Sequence, residues 1–277
     1  MRGMRCLAVI AVLLALLTAG AAAAELGWSE GLFRGCDPYG NTNVETSFGN
    51  LAADAARGMG RADAALLPSA DFGANLQPGA ITEEALALCL QRNSVLAAVT
   101  LTPAQLYGLL ETGFSRIVLR PDSTVDWEQS RFDGYLQLSG LRVTYDAAAP
   151  AGQRVYALSL EGGAPLDRDD HTSTLRVVST LELLSGGFGY PAFDQAELTV
   201  LGTEREAVAA WIQSSGGVIA PSAGRVDIYG SREWTVENRA VIVLALAAAC
   251  LLLARITRGA KDWGRGRTAG GAAPAGK

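Results

Sequence analysis

Histidine and cysteine, which often carry acid–base or metal chemistry, are few in this 277-residue sequence, with one His and four Cys. Its one histidine, His171, stands in the polar run DRDDHTST, which is typical of a solvated surface turn. A metal ion that activates water needs several clustered His, Asp or Asn ligands, and no cysteine pair has metal-ligand spacing. The sequence therefore predicts no catalytic residue, no metal site and no cofactor.

Two of the four cysteines could form a disulfide. Cys6 and Cys250 lie within apolar runs near the two ends of the chain, whereas Cys36 and Cys89 lie in the polar part between them. In an oxidising compartment these two thiols could pair. Nothing in the sequence places them close together, so a disulfide and two free thiols both remain open.

The N-terminus has the layout of a secretory signal. Arg2 and Arg5 precede a twelve-residue apolar run, residues 6–17, and small residues follow up to Glu25. The run is shorter than the roughly 20 residues that span a bilayer, and residues 22–24 offer a cleavage site of small residues. We therefore expect a signal peptide at residues 1–24, with an uncleaved anchor as the alternative.

A second apolar run near the C-terminus is typical of a stop-transfer segment. Residues 240–254 carry no charge, and a cluster of basic residues follows them. Fifteen helical residues cover only about 22 Å, so the helix must extend further while Arg255 reaches toward the interface. We expect a transmembrane helix in the lipid bilayer that begins at Ala240 and ends at Ile256, with a buried core helix as the alternative.

The charges divide in the same way. Residues 25–239 carry 27 acidic and 15 basic side chains, a net charge of −12, whereas residues 257–277 form a basic tail. By the positive-inside rule this tail is cytoplasmic, so we expect a single-pass protein of the cell membrane with its N-terminal domain outside. A surface this negative disfavours nucleic acid as a partner. The predicted divisions are a domain at residues 25–230 and a juxtamembrane linker at 231–239.

The predicted elements indicate a mixed α+β domain. Thr46, Thr82 and Thr102 each precede a helical pattern, in the position where a hydroxyl caps a helix. The first helix is expected to stop at Gly58 and Gly60, and two others are expected at residues 83–90 and 103–113. A last helix is expected at residues 204–212. Strands are predicted at residues 62–67, 93–101, 134–146, 155–160, 174–179 and 225–229.

Six blocks of sequence together resemble the C-terminal domain of the 5′-nucleotidase family. The blocks are ETSFGNLAADA (45–55), ITEEALAL (81–88), LTPAQL (101–106), DGYLQLSGLRVTYD (133–146), SGGFGYP (185–191) and REAVAAWIQSSGGVIAPSAGRVDI (205–228). The resemblance implies a four-layer α/β/β/α domain that grips a nucleoside, preceded by a separate domain that holds two metal ions. Only about twenty residues separate the predicted cleavage site from the first block, so we expect the metallophosphatase domain to be missing.

The resemblance also implies which positions would face a ligand. The family's anion-facing Arg corresponds to Gly73, and Asp71 adds negative charge to the same loop. Arg92 stands where one base-stacking Phe is expected and Glu182 where the other is, while an acidic residue of the glycine loop is replaced by Phe188. Either these side chains line a rebuilt pocket, or Arg92 pairs with Glu182 and closes the slot. The candidate ligand-binding residues are Asp71, Phe72, Arg92, Ser94, Glu182 and Phe188.

Three functions remain open on this basis. The first is a noncatalytic domain with a degenerate nucleoside site that acts as a scaffold or binds a partner, either a separately encoded metallophosphatase or another extracytoplasmic protein. The second is one component of a nucleotide-catabolising hydrolase whose metal domain is on another chain. The third is a module that binds a small ligand in a rebuilt pocket.

Overall fold

The computed structural model describes residues 25–37 and 43–229. The predicted signal peptide, juxtamembrane linker, transmembrane helix and basic tail all lie outside these residues. Within the described part, no helix is long and apolar enough to cross a membrane. The longest helix there, Ser47–Gly60, has 14 residues.

The described chain alternates strands and helices in its first half, and its strands cluster in the second half. Its helices are α1 (Ser47–Gly60), α2 (Glu83–Cys89), α3 (Pro103–Phe114), α4 (Leu181–Leu184) and α5 (Glu204–Ser214). Its strands are β1 (Glu25–Ser29), β2 (Ala64–Pro68), β3 (Gly79–Thr82), β4 (Val95–Leu101), β5 (Leu136–Ser139), β6 (Leu141–Asp146), β7 (Val155–Leu160), β8 (Leu175–Thr180), β9 (Thr199–Thr203), β10 (Val218–Ile219) and β11 (Val226–Tyr229).

A five-stranded sheet forms the centre of the fold, in the order β5-β2-β8-β4-β9. Strand β2 is parallel to β8, and β4 is antiparallel to both β8 and β9. Strands β2, β8 and β9 therefore run in the same direction, and their carboxyl ends lie along one edge of the sheet. Strand β4 begins at that same edge. Two three-stranded sheets, β10-β1-β3 and β11-β6-β7, complete the topology.

Both faces of the central sheet are buried, and each belongs to a separate core. Leu66 and Val99 point into a core that contains side chains of α3, β6 and β7. Leu67 and Leu96 point the opposite way, into a core that contains side chains of α1, α2 and α5. This alternation follows from the two-residue period of a strand. The predicted mixed α and β class is confirmed.

The predicted helix starts at Thr82 and Thr102 are also confirmed. The Thr82 hydroxyl accepts the Ala85 N–H, and Thr102 forms a reciprocal capping box with Gln105. Such caps satisfy backbone donors that have no partner within the helix. Helix α1 continues through Gly58 and ends at Gly60, one of the two expected stops, and the next residue, Arg61, adopts a left-handed conformation with φ of 46°.

The strand predicted at residues 134–146 is confirmed at Leu136–Ser139 and Leu141–Asp146. It is not continuous, because Gly140 divides it into two strands that belong to different sheets. Strand β5 pairs with β2, whereas β6 pairs with β7. Gly140 has φ of +74°, and a Cβ there would lie 2.2 Å from the Asp63 carbonyl oxygen. Only glycine fits this combination of left-handed backbone and close approach.

The ETSFGNLAADA segment holds the last described strand in place. The Glu45 carboxylate accepts the backbone N–H groups of Arg225 and Val226 at 3.0 and 3.3 Å. Asp54 accepts a hydrogen bond from the Arg225 guanidinium at 2.7 Å and another from the Ser139 hydroxyl at 2.6 Å. The charged residues of this motif therefore fasten β11 to helix α1.

The remaining titratable residues named from sequence have simple surroundings. Cys36 and Cys89 are both free thiols, so the possible disulfide between them does not form in this structure. Burial raises the pKa of the Cys89 thiol to about 11. His171 is exposed in a turn, as expected.

We expect Gly140→Ala to destabilise the protein more than Gly152→Ala. Both glycines have positive φ, 74° and 87°, which costs an alanine about 1 to 2 kcal/mol. Only at Gly140 does the new methyl group also meet a backbone carbonyl, so a total loss of about 3 kcal/mol or more is expected there. Urea unfolding of the two variants measures the difference, and equal losses would contradict the steric role of Gly140.

Candidate functional site

The sheet topology brings a set of charged residues together at one edge. Asp71 follows β2, Glu182 follows β8, and Glu204 follows β9, so all three carboxylates lie beyond the carboxyl ends of parallel strands. Arg92 and Ser94 belong to the loop that enters β4 at the same edge. In open α/β sheets, ligands bind in crevices at such an edge.

Arg92 is held between two carboxylates. Its Nε lies 3.1 Å from Oδ1 of Asp71, and its terminal nitrogen forms an ion pair with Oε2 of Glu182. The guanidinium carbon lies 5.7 Å from the ring centroid of Phe188, within cation–π range. The Asp71 side chain is only 1% exposed, whereas those of Arg92 and Glu182 are 45% and 46% exposed.

Ser94 joins the buried end of this cluster to helix α5. The Ser94 hydroxyl donates to Asp71 Oδ1 at 3.0 Å, and its backbone N–H donates to Glu204 Oε2 at 3.3 Å. The preceding Asn93 has φ of 48°, and its side-chain oxygen accepts the Arg205 N–H at 3.0 Å. This loop therefore caps the first turn of α5 and holds Glu204 beside Asp71.

Burial has the largest effect on the pKa values of the Asp71 and Glu204 carboxyls. It raises the pKa of Asp71 to about 6, although the Ser94 hydrogen bond and the Arg92 charge oppose the shift. Burial also raises the pKa of Glu204 well above its ordinary value, and the negative charge of Asp71 adds to this effect. Each group thus favours the neutral form more strongly than it would in water.

Five of the six residues singled out from sequence meet in this cluster: Asp71, Arg92, Ser94, Glu182 and Phe188. Phe72 does not, and placing it at a pocket wall was wrong. Its side chain is fully buried, and its ring packs edge to face on Phe48 with 6.0 Å between centroids. Gly73 is exposed and has open space beside it.

Sequence reasoning missed two neighbours of the cluster. Glu204 occupies the first helical position after Thr203, where an acidic residue is normally explained by the helix dipole. Phe132 lies near Phe188, because a Cβ on Gly134 would touch both side chains. No local pattern identifies either residue as part of a site.

Metal chemistry finds no support in the described residues. Among them, no group of three or more His, Cys, Asp or Glu side chains could hold a metal ion. Asp71 and Glu204 share their surroundings with the Arg92 cation, which disfavours a second cation. The two-metal centre that the resemblance implies for the family's other domain therefore does not fit these residues.

Comparison of the sequence with known protein families agrees with this architecture. Residues 22–195 match the model described as the C-terminal domain of 5′-nucleotidase, which is well over half of the chain. The chain belongs to the 5′-nucleotidase C-terminal domain family. No curated protein matches the sequence.

Solved structures share the fold of this family member. The 5′-nucleotidase precursor of Thermus thermophilus is 23% identical with a TM-score of 0.62, and the alignment covers 82% of this chain and 43% of that one. A putative 5′-nucleotidase of Staphylococcus aureus, in complex with alpha-ketoglutarate, is 14% identical with a TM-score of 0.61 over 74% and 41%. The NAD nucleotidase of Haemophilus influenzae is 12% identical with a TM-score of 0.60 over 75% and 38%.

The present chain thus spans about two-fifths of the length of these proteins. At such low identities the likeness extends to the fold alone.

We expect Arg92→Ala to reduce stability at pH 8 by about 1 to 3 kcal/mol, because it leaves the buried Asp71 carboxylate without its cation. Glu182→Ala removes only an exposed partner of Arg92 and should cost less. Arg120→Ala, which removes a half-exposed Arg from its pair with Asp126 in a different loop, serves as the control and should have little effect. Equal losses for all three variants in chemical denaturation would show that Asp71 does not depend on Arg92.

Proposed function

We propose that this chain is a membrane-anchored, extracytoplasmic member of its family that does not hydrolyse nucleotides by itself. Its nucleoside-type cleft is closed by its own side chains, and it acts as a scaffold or partner-binding module. The observation that carries this proposal is the position of Arg92, which is held by Asp71 and Glu182 and lies against Phe188.

The closed cleft opposes a nucleoside in two ways. A base would have to displace Arg92 from the Phe188 ring, and a ligand's anionic group would approach Asp71 and Glu182 where the family resemblance implies an Arg. Stacking contributes about 1 to 3 kcal/mol per base, and a charge-assisted hydrogen bond about 1.5 to 3 kcal/mol. Losing these contacts therefore weakens binding by roughly a thousandfold.

A protein is the partner that best suits such a module. The matched solved structures extend well beyond the part aligned with this chain, and the three compared above are named as nucleotidases. A separately encoded metallophosphatase, or another extracytoplasmic protein, would provide the surface that the scaffold binds. Copurification from membranes is the direct observation of such a partner.

A small-ligand module is the second candidate, and the exposure of the closing pair favours it. The side chains of Arg92 and Glu182 are nearly half exposed, so their ion pair is worth little in water. A ligand that recruits the guanidinium could break this pair. Such a ligand would carry a flat ring for Phe188 and an anionic group for Arg92.

The proposed location rests on the two apolar runs outside the described residues. The first has the length and the small residues of a cleavable signal, and the second is followed by a basic cluster. The intervening part carries a net charge of −12. These features support a domain outside the cell membrane and a tail in the cytoplasm.

We expect the unmodified chain to give no heat with millimolar adenosine in calorimetry. Restoring both stacking rings by Arg92→Phe together with Glu182→Phe should strengthen adenosine binding at least tenfold, because each ring contributes about 1 kcal/mol or more. Arg120→Phe adds a ring elsewhere and should change nothing.

The unmodified chain should also release no phosphate from AMP when divalent metals are added. Micromolar adenosine binding that Arg92→Ala abolishes would overturn the closed cleft. Metal-dependent turnover that survives His171→Ala and repurification would overturn the noncatalytic role.

We further expect the mature protein to begin near Glu25 and to remain in the membrane fraction. The apolar run at residues 6–17 has the short length of a signal peptide that is cleaved after translocation. The run that begins at Ala240 is followed by basic residues, as in a stop-transfer segment. Mass spectrometry of membrane and soluble fractions measures both properties. An intact Met1 terminus, or full-length chain in the secreted soluble fraction, would contradict this topology.

A further inference from the structure

Two buried carboxyls at the cleft lack hydrogen-bond partners for one oxygen each. Asp71 and Glu204 are 3% and 1% exposed. Ser94 donates to Oδ1 of Asp71 and to Oε2 of Glu204, so the two groups lie on either side of one residue. Oδ2 of Asp71 and Oε1 of Glu204 are buried, and neither has a partner among the described residues.

This arrangement is unfavourable when both carboxyls are ionised. A buried carboxylate oxygen without a donor loses its hydration and receives nothing in return. The negative charges of Asp71 and Glu204 also repel each other, which raises the pKa of Glu204 further. One bound proton removes one charge and converts an unpaired acceptor into a donor.

We propose that Asp71 and Glu204 form a binding site for one proton, and that this proton controls whether Arg92 closes the cleft. The inference rests on the closed cleft of the proposed function, but it concerns the carboxyl pair rather than the partner or the ligand. Two neighbouring carboxyls that interact strongly titrate as a pair, so each protonation step belongs to both groups.

The charges that surround the pair define how the control works. Arg92 faces Asp71 from the loop before β4, and Glu182 of α4 faces Arg92. Arg205 follows Glu204 in α5. Its Nε is buried and has no partner among the described residues. When Asp71 is ionised, it and Glu182 hold Arg92 together. When Asp71 is protonated, only the exposed Glu182 remains, and an exposed pair holds weakly.

Mild acid therefore opens the cleft, and neutral or alkaline conditions close it. The sign follows from the shift, because burial raises the pKa of Asp71 to about 6. The folded protein then binds the proton more tightly than the unfolded chain does. Stability from this group is present below the ordinary aspartate range and is lost as the pH rises through about 6.

Carboxyl ¹³C NMR of the purified chain between pH 4 and pH 9 tests the shared proton. We expect the Asp71 and Glu204 resonances to shift together in the same two steps. Asp71→Asn should move the Glu204 midpoint to lower pH, because the neighbouring charge is gone. The Glu111 carboxyl has separate partners, two backbone N–H groups and Arg168, so its resonance is the control for effects of Asp71→Asn outside the cleft.

Solvent exchange of the Arg92 Nε–H tests the control of the cleft. The Arg57 Nε–H, which donates to the Ser139 hydroxyl, is the internal reference. We expect the protection of Arg92 relative to Arg57 to fall at least tenfold between pH 8 and pH 5. Asp71→Asn should abolish this protection at both pH values, and Glu204→Gln should preserve it to lower pH.

If the two carboxyls titrate independently and Asp71→Asn leaves the Glu204 midpoint unchanged, the proposed proton-binding site is wrong. Equal relative protection of Arg92 at pH 5 and pH 8 would overturn its control of the cleft. Neither result depends on adenosine binding. Micromolar adenosine binding at every pH would instead defeat the proposed function while leaving the shared proton intact.

Discussion

The fold depends on a central sheet that is covered on both faces. Its strands must therefore be apolar on both sides, and they offer little room for charged groups within their length. The charged side chains of the site instead follow or precede these strands, at the ends where the backbone leaves the sheet. Because β2, β8 and β9 run in the same direction, these ends meet at one edge, and charges from three distant parts of the chain meet there.

Charge balance then determines the state of that edge. Three carboxylates, from Asp71, Glu182 and Glu204, surround the guanidinium of Arg92. The outer pair is exposed and weak, whereas the inner carboxyls are buried and shift toward the neutral form. On a scaffold shared with solved nucleotidases, Arg92 thus pairs with two carboxylates of its own chain, while Oδ2 of Asp71 and Oε1 of Glu204 lack a partner among the described residues. This pairing is a property of the residues and not of the fold.

The local features of this fold could be predicted, and the nonlocal ones could not. Helix starts at Thr82 and Thr102 follow from hydroxyl groups that cap their own helices a few residues away. Strands β3 and β9 were missed, because each is short and is stabilised mainly by pairing with distant strands. The break at Gly140 also depends on a distant group, the Asp63 carbonyl.

The candidate site divides in the same way. Sequence alone determined the family resemblance, the caps, the alternation of apolar residues and the absence of clustered histidines, since each is read from neighbouring residues or from motifs in order. Only the tertiary structure decided that Arg92 pairs with both Asp71 and Glu182, that Phe72 is core, and that Glu204 lies beside Asp71. The physical reason is that sheet order and strand direction bring distant residues together, and these are properties of the folded chain rather than of any local segment.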